Sequence, residues 1–280
     1  MDAWNVVAFS RHPQRPTAAD FIELACDYFF EIKGDRSGAD DPSVIAGMVT
    51  MCGERLAVAG HEKGSGATER KRRNMGMPGP RGFAKALRLF KLAEKLSLPV
   101  LCLVDTPGAY PGVEAEEHGQ AFAISRNLAA LASLKTPVIV ALIGEGGSGG
   151  ALALGVGDAV LMMENATFSV ISPEGCSSIL WRDAGKAREA AEMLRLTSRD
   201  MLELDLIDAV VPEGPGGAHA QPVAAALNLR KSVLEHLRAL SALPIPSLLE
   251  RRKERYRRLA FFHEVPGDEA GLSVSAGRLP

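Results

Sequence analysis

An apolar run followed at once by five glycines constrains the fold of this chain more than any other segment. Residues 138–143 contain no polar side chain, which is typical of a strand buried on both faces. Within the next seven residues, five glycines permit a sharp turn and let another group approach the backbone: Gly144, Gly146, Gly147, Gly149 and Gly150. Residues 151–154 (Ala-Leu-Ala-Leu) favour a helix. The segment predicts a strand, a turn and a helix whose first amides are free to hold an anion or a developing oxyanion.

A second apolar strand with its own glycine turn precedes this segment. The strand is predicted over 99–104, the turn over 105–112 (Asp-Thr-Pro-Gly-Ala-Tyr-Pro-Gly), and a helix over 114–134. Strand, helix and strand at this spacing form a crossover unit, so the two strands should be parallel. Both turns then lie at the same edge of the sheet, where open α/β sheets place their ligands.

The remaining pattern predicts an α/β domain over 17–262 between two outer segments. Pro13 and Pro16 favour an extended arm over 1–16, and we expect the polar tail 263–280 to be mobile. A helix is predicted over 17–32, started by a capping box of Thr17 and Asp20. Further strands are predicted at 44–51, 55–60, 158–163, 167–171 and 206–211, a functional loop at 61–81, and further helices at 82–96, 173–181, 184–194, 198–204, 222–240 and 246–262.

Composition excludes several classes of protein. A hydrophobic fraction of 46%, a charged fraction of 24% and a net charge of −2 are ordinary for a globular protein, and predict neither nucleic-acid nor membrane binding. The four cysteines form no C-x-x-C pair, and no spaced His/Asp/Glu set is present, so we expect no metal in this chain. Isolated cysteines and the lack of a signal pattern at the start favour a cytoplasmic location.

The glycine segment also matches the letters of a nucleophile pattern, G-x-S-x-G, around Ser148. A serine hydrolase would need a later acid and base, for which Asp205 or Asp208 with His219 are available. The surplus of glycines favours a role for backbone amides instead, with Ser148 as a helix cap. The simplest alternative is that the glycines merely let the helix pack closely against the sheet.

Two basic clusters and two histidines allow functional and structural interpretations. Residues 70–73 could hold a phosphate or form a solvated loop, and the arginines of 251–258 favour docking on a protein partner over nucleic acid. His61 and His118 lie near the predicted site, where a structural role is the more frequent one.

Nine short motifs, spread over roughly residues 11–260, together resemble the alpha subunit of bacterial acetyl-coenzyme A carboxylase carboxyltransferase. They lie at residues 12–16, 60–64, 73–78, 85–89, 105–112, 144–153, 169–176, 179–181 and 216–219. The resemblance implies a crotonase-like (ClpP/crotonase) fold of repeated ββα units with flanking helices. It also implies transfer of the carboxyl group of carboxybiotin to acetyl-CoA, giving malonyl-CoA for fatty acid biosynthesis.

The resemblance further implies partners. A beta subunit would share the site in a heterotetramer of two alpha and two beta chains, and would carry the zinc ribbon that this chain lacks. The carboxybiotin would arrive on a biotin carboxyl carrier protein, and ATP would be used by the partner biotin carboxylase alone. Ser65-Gly66 stand where the family tends to have arginine and an acid, which leaves a specialised or non-catalytic paralogue as an alternative.

By analogy with the family, site residues fall into three groups. The amides facing the oxyanions would come from Gly149, Gly150 and Ala151. The biotin-binding wall would comprise Gly108, Ala109, Tyr110, Gly112, Gly146, Gly147 and Ser148. The acyl-CoA side would comprise His61, Lys63, Gly64, Gly76 and Met77. Carboxyl transfer needs no protein nucleophile, because the biotin ureido group can itself accept the acetyl proton.

Overall fold

A mixed sheet of eight strands forms the centre of this computed structural model, which describes residues 2–259. The strands are β1 (Tyr28–Glu31), β2 (Val44–Met51), β3 (Glu54–His61), β4 (Val100–Thr106), β5 (Val138–Gly147), β6 (Ala159–Met163), β7 (Thr167–Ser169) and β8 (Ala209–Val211). Their order is β1-β2-β3-β4-β5-β6-β8, and β7 pairs with the end of β5. The first three strands are antiparallel, and every later pairing is parallel.

Helices cover the sheet and leave the central strands buried. They are α1 (Ala3–Ser10), α2 (Ala18–Ala25), α3 (Gly66–Arg72), α4 (Pro80–Lys95), α5 (Val113–Glu117), α6 (Gln120–Ser133), α7 (Ser148–Leu152), α8 (Pro173–Trp181), α9 (Ala187–Met193), α10 (Ser198–Glu203), α11 (Pro222–Ser241) and α12 (Ile245–Arg258). All seven residues of β4 are buried, as expected for a parallel strand covered on both faces. None of the helices within residues 2–259 is long and apolar enough to cross a membrane.

The predicted crossover and hairpin are confirmed. β4 and β5 pair in parallel from Val100↔Val138 onwards, and β2 and β3 form an antiparallel hairpin. Between Val104↔Leu142 and Thr106↔Gly146, β5 advances four residues while β4 advances two. We call residues 143–145 the β5 bulge. It displaces the glycines that come after it relative to the end of β4.

The prediction of an extended arm is wrong for residues 3–10, which form helix α1. The Asp2 carboxylate caps this helix by accepting the amide of Asn5 at 2.7 Å. Ala3 and Val7 pack against Ala191 and Leu196 in a small second cluster. Pro13 and Pro16 mark the end of the helix and carry no information about residues further upstream.

The predicted helix over 17–32 is too long. Its start is confirmed, because Thr17 and Asp20 form the capping box of α2. The helix ends at Ala25, and Tyr28–Glu31 pairs with β2 as an edge strand. Aromatic side chains suit either an apolar helical stripe or a strand, and here the exposed edge of the hairpin decided between them.

Several other boundaries differ from prediction. The predicted loop 61–81 contains α3 and a 3-10 turn at Asn74–Gly76, and α4 begins at Pro80 rather than 82. The predicted helix over 114–134 is broken at Gly119, whose φ of +79° suits glycine. β5 continues through the glycines to Gly147 because β7 supplies a partner strand. The predicted tail lies outside the described residues.

One side of the basic C-terminal helix packs against the rest of the molecule, while Arg251, Lys253, Arg257 and Arg258 are exposed, so the docking surface stays a prediction. Arg252 is 1% exposed, and its guanidinium donates to both carboxylate oxygens of Asp158. It also donates to the carbonyl oxygens of Leu131, Leu134 and Thr136 at 2.6–2.9 Å. Arg255 likewise pairs with Asp208. These contacts tie α12 to the start of β6 and the end of α6.

Replacing Arg252 with leucine should destabilise the fold by about 3–5 kcal/mol, because it leaves the Asp158 carboxylate buried and unpaired. Urea unfolding at pH 7 measures the change. Arg251→Leu, at the exposed neighbouring position, is the matched control and should stay within about 0.5 kcal/mol of wild type. A loss below about 1 kcal/mol for Arg252→Leu would contradict the assigned role.

Candidate functional site

Three segments meet at the carboxyl ends of β3, β4 and β5. They are residues 61–66 from the last residue of β3, residues 106–112 from the last residue of β4, and the glycine segment, which we define as residues 144–150 and which includes the end of β5 and the start of α7. The backbone of Gly76 also approaches this edge, because a Cβ built there would lie 2.7 Å from Lys63 Cγ and 3.0 Å from the Asp105 carbonyl oxygen. The edge predicted from the parallel crossover is therefore the place where most predicted site residues converge.

The β5 bulge leaves backbone groups that charged side chains satisfy. The Ile143 carbonyl accepts the Nε of Arg15 at 2.7 Å, and the Glu145 amide donates to Asp105 Oδ1 at 2.8 Å. Arg15 is itself buried and paired with the buried Glu213. Because an unpaired buried carbonyl or amide costs about 1–3 kcal/mol, these two bonds stabilise the bulge directly.

An ion-pair network surrounds the bulge. The Lys63 ammonium lies 2.7 Å from Asp105 Oδ1 and 2.7 Å from Glu145 Oε2. Glu145 Oε1 accepts Arg11 Nε at 2.6 Å, and Arg11 Nη1 reaches Glu174 Oε1 at 2.7 Å. The five members therefore link the N-terminal segment, the ends of three strands and helix α8.

Lys63 and Glu145 of this network are held in their charged forms. Burial alone would lower the pKa of Lys63, but Asp105 and Glu145 outweigh burial and raise it above its ordinary value. Burial alone would raise the pKa of Glu145, but Lys63 and Arg11 lower it. Lys63, Asp105, Glu145, Arg11 and Glu174 border a cavity of about 400 Å³.

Two of the glycines are required for close packing of the turns. A Cβ at Gly147 would lie 2.1 Å from the Pro107 carbonyl oxygen, and one at Gly150 would lie 2.4 Å from the Ala109 nitrogen. A Cβ at Gly149 would meet nothing closer than Ile124 Cδ1 at 3.6 Å. Gly147 and Gly150 therefore bring the start of α7 onto the backbone of residues 107–109.

The amides of Gly149, Gly150 and Ala151 lie at the start of α7, directly after the capping residue Gly147. Gly147 has no side chain with which to cap these amides. A helix start leaves such donors free, and the macrodipole adds partial positive charge there. Gly150 and Ala151 are buried, so these amides are partly shielded from solvent. The arrangement suits stabilisation of an oxyanion.

Ser148 is neither a cap nor part of a triad. The capping residue of α7 is Gly147, and Ser148 is an exposed residue with φ of +51°, so the predicted helix-cap role is wrong. Asp208 lies at the start of β8, the opposite edge of the sheet, where it pairs with Arg255 and the Val160 amide. His219 stacks on His12 with ring centroids 3.8 Å apart. No described acid or base reaches the Ser148 hydroxyl.

The other predicted residues of the biotin-binding wall and of the acyl-CoA side lie at several places around the edge. Tyr110 donates its amide to the Pro78 carbonyl at 3.0 Å, which ties the 106–112 turn to the loop of Met77. Gly112 lies against the Tyr110 ring, where a Cβ would be 2.6 Å from the ring atoms. Tyr110 and Met77 line a second cavity of about 390 Å³, on which His118 also borders. Gly146 pairs with Phe168 of β7, and the Gly64 amide donates to Glu62 Oε1 at 2.8 Å.

His61 is a buried neutral imidazole beside the glycine segment. Its side chain is 0% exposed, and the backbone of Gly150 and the ammonium of Lys63 lie close enough to influence it. Burial lowers its pKa to about 3; Gly150 opposes the shift and Lys63 adds to it. Neither ring nitrogen makes a hydrogen bond of good geometry within residues 2–259. His61 therefore remains uncharged at neutral pH.

Five residues of the site were absent from the predicted set: Arg11, Arg15, Asp105, Glu145 and Glu174. The two arginines lay in a segment predicted to be an arm, and Glu174 lay at the start of a predicted helix. Asp105 and Glu145 lay inside predicted turns, but their neighbours in sequence gave no sign that they pair. Glu145 stands between two glycines at the end of a buried strand, and this placement of an acidic residue is the sequence signal that could have identified it as a site residue. Of residues 70–73, Arg72 and Arg73 pair with Glu69 and Arg70 donates to the Pro13 carbonyl, so a phosphate site there stays a prediction.

Comparison with protein families gives a match along nearly the whole chain. Residues 1–260 match the family model described as acetyl co-enzyme A carboxylase carboxyltransferase-like. The chain is 51% identical over 264 residues to the acetyl-coenzyme A carboxylase carboxyl transferase subunit alpha of Methylococcus capsulatus, covering 94% of this chain and 82% of that one. It is 52% identical over 257 residues to the corresponding subunit of Xanthomonas oryzae pv. oryzae, covering 92% and 81%.

Solved structures support the fold. The transcarboxylase 12S structure with hydrolysed methylmalonyl-coenzyme A superposes with a TM-score of 0.65 at 17% identity, covering 96% of this chain and 47% of that one. A Pseudomonas malonate decarboxylase hetero-tetramer in complex with coenzyme A gives a TM-score of 0.63 at 18% identity, covering 80% and 92%. At these identities the likeness concerns the fold, which is the predicted crotonase-like α/β architecture.

Lowering the pH should destabilise the protein through His61. Its pKa of about 3 in the folded state lies below the ordinary 6.5, so the unfolded chain binds the proton first as the pH falls. Stability that depends on the neutral ring is complete above pH 6.5 and is lost toward pH 3. When the pH falls from 7 to 5, the free energy of unfolding of wild type should decrease by about 2 kcal/mol more than that of His61→Leu, as measured by urea unfolding. The exposed His118→Leu is the matched control and should follow wild type; equal losses in wild type and His61→Leu would contradict the assignment.

Proposed function

This chain belongs to the acetyl-CoA carboxylase carboxyltransferase family as an alpha subunit, and we propose that the edge formed by β3, β4 and β5 is its share of the transfer site. The activity is that of a transferase in a biotin-dependent carboxylase. It moves a carboxyl group to acetyl-CoA, giving malonyl-CoA for fatty acid biosynthesis. At the proposed site, the residues of this chain serve that reaction mainly through their backbone groups.

The position of the amides at the start of α7, beside the turn after β4, carries the proposal. Carboxybiotin, bound on its carrier, supplies the carboxyl group and a ureido nitrogen that accepts the acetyl proton. The chain then has to stabilise oxyanions, and we assign this task to the amides of Gly149, Gly150 and Ala151 at the start of α7. One such donor in a dry site contributes about 3–4 kcal/mol to the transition state. No side-chain acid or base is needed at this position.

The turn after β4 forms the wall beside these amides. Gly108 and Ala109 pack directly on Gly150, and Tyr110 with Gly112 continues the wall toward the second cavity. Gly146, Gly147 and the backbone of Ser148 close it from the β5 side. We place the biotin ring here, because narrow backbone-lined walls favour a flat uncharged ring over a bulky one.

The acyl-CoA group is placed on the side of β3 and the 3-10 turn. Gly64, Gly76 and Met77 present backbone and a thioether there, and His61 underlies them as a neutral ring. The ammonium of Lys63 points inward and forms ion pairs with Asp105 and Glu145, so its charge is already neutralised by carboxylates of this chain.

A beta subunit completes the site in this family, and exposed apolar side chains near the edge support a partner here. Leu152 of α7, Val170 after β7 and Ile179 of α8 are 45%, 76% and 72% exposed. We propose a heterotetramer of two alpha and two beta chains, served in the cytoplasm by a biotin carboxyl carrier protein and an ATP-using biotin carboxylase. Among residues 2–259 there is no group of three metal-ligating side chains, and we assign the zinc to the beta subunit.

Co-expression with the beta subunit from the same genome should give a stable complex. With biotin carboxylase, the carrier protein, ATP, bicarbonate and acetyl-CoA, that complex should form malonyl-CoA, measured by mass spectrometry. Each subunit alone is the control and should be nearly inactive, because each holds half of the site. A stable complex without turnover would favour the non-catalytic paralogue, and robust transfer by this chain alone would exclude a shared site.

Ser148→Ala separates carboxyl transfer from serine hydrolysis. We expect kcat for transfer to stay within about threefold of wild type, because the hydroxyl contacts no catalytic group and its loss removes no transition-state interaction. The measurement tracks malonyl-CoA formation and acetyl-CoA hydrolysis in the same reconstituted complex. A fall of about 100-fold or more in either activity would restore the hydroxyl as a catalytic group.

A further inference from the structure

We infer that Lys63 is a positioning residue for carboxyl transfer, which holds the glycine segment in place by bridging Asp105 and Glu145. The inference rests on the proposed function, since it assigns the amides of that segment to the reaction. It differs from the role expected from the resemblance, in which Lys63 would face acyl-CoA.

One ammonium joins the carboxyl ends of three neighbouring parallel strands. Lys63 comes just after β3, Asp105 lies near the end of β4, and Glu145 lies in the β5 bulge. The Nζ of Lys63 is 2.7 Å from a carboxylate oxygen of each partner. A single cation therefore sets the distance between the β4 turn and the glycine segment.

The contacts leave little freedom on either side of this bridge. Asp105 Oδ1 also accepts the Glu145 amide at 2.8 Å, and a Cβ at Gly144 would lie 2.2 Å from the same oxygen. The side chain of Asp105 is 5% exposed and that of Glu145 is 13% exposed. Without the ammonium, two buried carboxylates would face each other with Arg11 as the sole remaining cation on Glu145 among the described residues. Their repulsion would push the segment away from the β4 turn.

The glycine segment leads directly into the amides that we assign to the oxyanions. Gly150 is five residues beyond Glu145, and its backbone rests on Ala109 in the β4 turn. A shift of the bulge therefore moves the donors relative to the wall. Misplacement of a reacting group by about 1 Å can lower the rate about 100-fold.

The geometry argues against a direct role of the ammonium in binding coenzyme A. Both neighbours of the ammonium are carboxylates of this chain, and the side chain of Lys63 is 14% exposed. A phosphate would have to displace a carboxylate from a preformed pair. Binding and positioning therefore predict different kinetic changes when Lys63 is replaced.

The test uses the full chain in complex with its beta subunit. Lys63→Met should lower kcat for malonyl-CoA formation about 100-fold and leave KM for acetyl-CoA within about threefold. Lys63→Arg keeps the positive charge, and its kcat should be about tenfold higher than that of Lys63→Met. Lys231→Met, at an exposed lysine of α11 remote from the edge, is the control and should keep wild-type kinetics. A rise in KM with unchanged kcat would overturn the inference in favour of a contact to acyl-CoA.

Hydrogen exchange of the uncomplexed full chain gives a readout that does not depend on turnover. In Lys63→Met, the amides of residues 143–151 should exchange faster, while those of β6 should be unchanged. Unchanged exchange in residues 143–151, or faster exchange with unchanged kcat in the complex, would overturn the positioning role. If the wild-type complex makes no malonyl-CoA, the proposed function fails by itself, and exchange still decides whether Lys63 holds the segment.

Discussion

The site depends on hydrogen bonds between charged side chains and the backbone of the β5 bulge. A bulge leaves carbonyl and amide groups that the neighbouring strand no longer pairs. From the pair Val104↔Leu142 to the pair Thr106↔Gly146, β5 advances by two residues more than β4 does. The carbonyl of Ile143 and the amide of Glu145 are then satisfied by Arg15 and Asp105. Burying such groups without partners would be costly in the middle of a parallel sheet. Here charged side chains supply the missing hydrogen bonds. The bulge can therefore form, and it brings the glycines against the turn after β4, which a regular strand would not do.

The charged partners bind distant parts of the chain to the site. Arg15 is bonded to Glu213, which also accepts the backbone and side-chain nitrogens of Asn165 and the Ala218 amide. These neighbours, Arg15 foremost, overcome burial and hold the pKa of Glu213 below its ordinary value, so its carboxylate stays ionised. Removing either member would leave a buried charge, so the N-terminal segment is part of the site and not an appendage to it.

Local patterns predicted the sheet well, and they predicted the edge of the sheet on which most candidate site residues converge. The buried runs of β4 and β5, the crossover and the capping box of Thr17 depend on neighbours in sequence, and all three were predictable. The partnership of Arg15 with Ile143 spans 128 residues and that of Arg11 with Glu145 spans 134, and no periodicity encodes such pairs. The break of the long helix at Gly119 and the change to strand at Tyr28 were set by tertiary contacts. Resemblance to the family supplied the reaction, which the residues alone left open between amide and serine chemistry.

Gly147 and Gly150 permit contact with the β4 turn, and the amides of Gly149, Gly150 and Ala151 lie at the start of α7. We propose that these amides, held by the bulge, receive the oxyanion. A crystal structure of the alpha–beta complex with a biotin analogue would locate the ureido oxygen. We expect that oxygen within hydrogen-bond distance of at least one of these amides, with the Lys63 bridge intact. A ureido oxygen held by side chains elsewhere, with these amides facing solvent, would show that the oxyanion is stabilised by other groups.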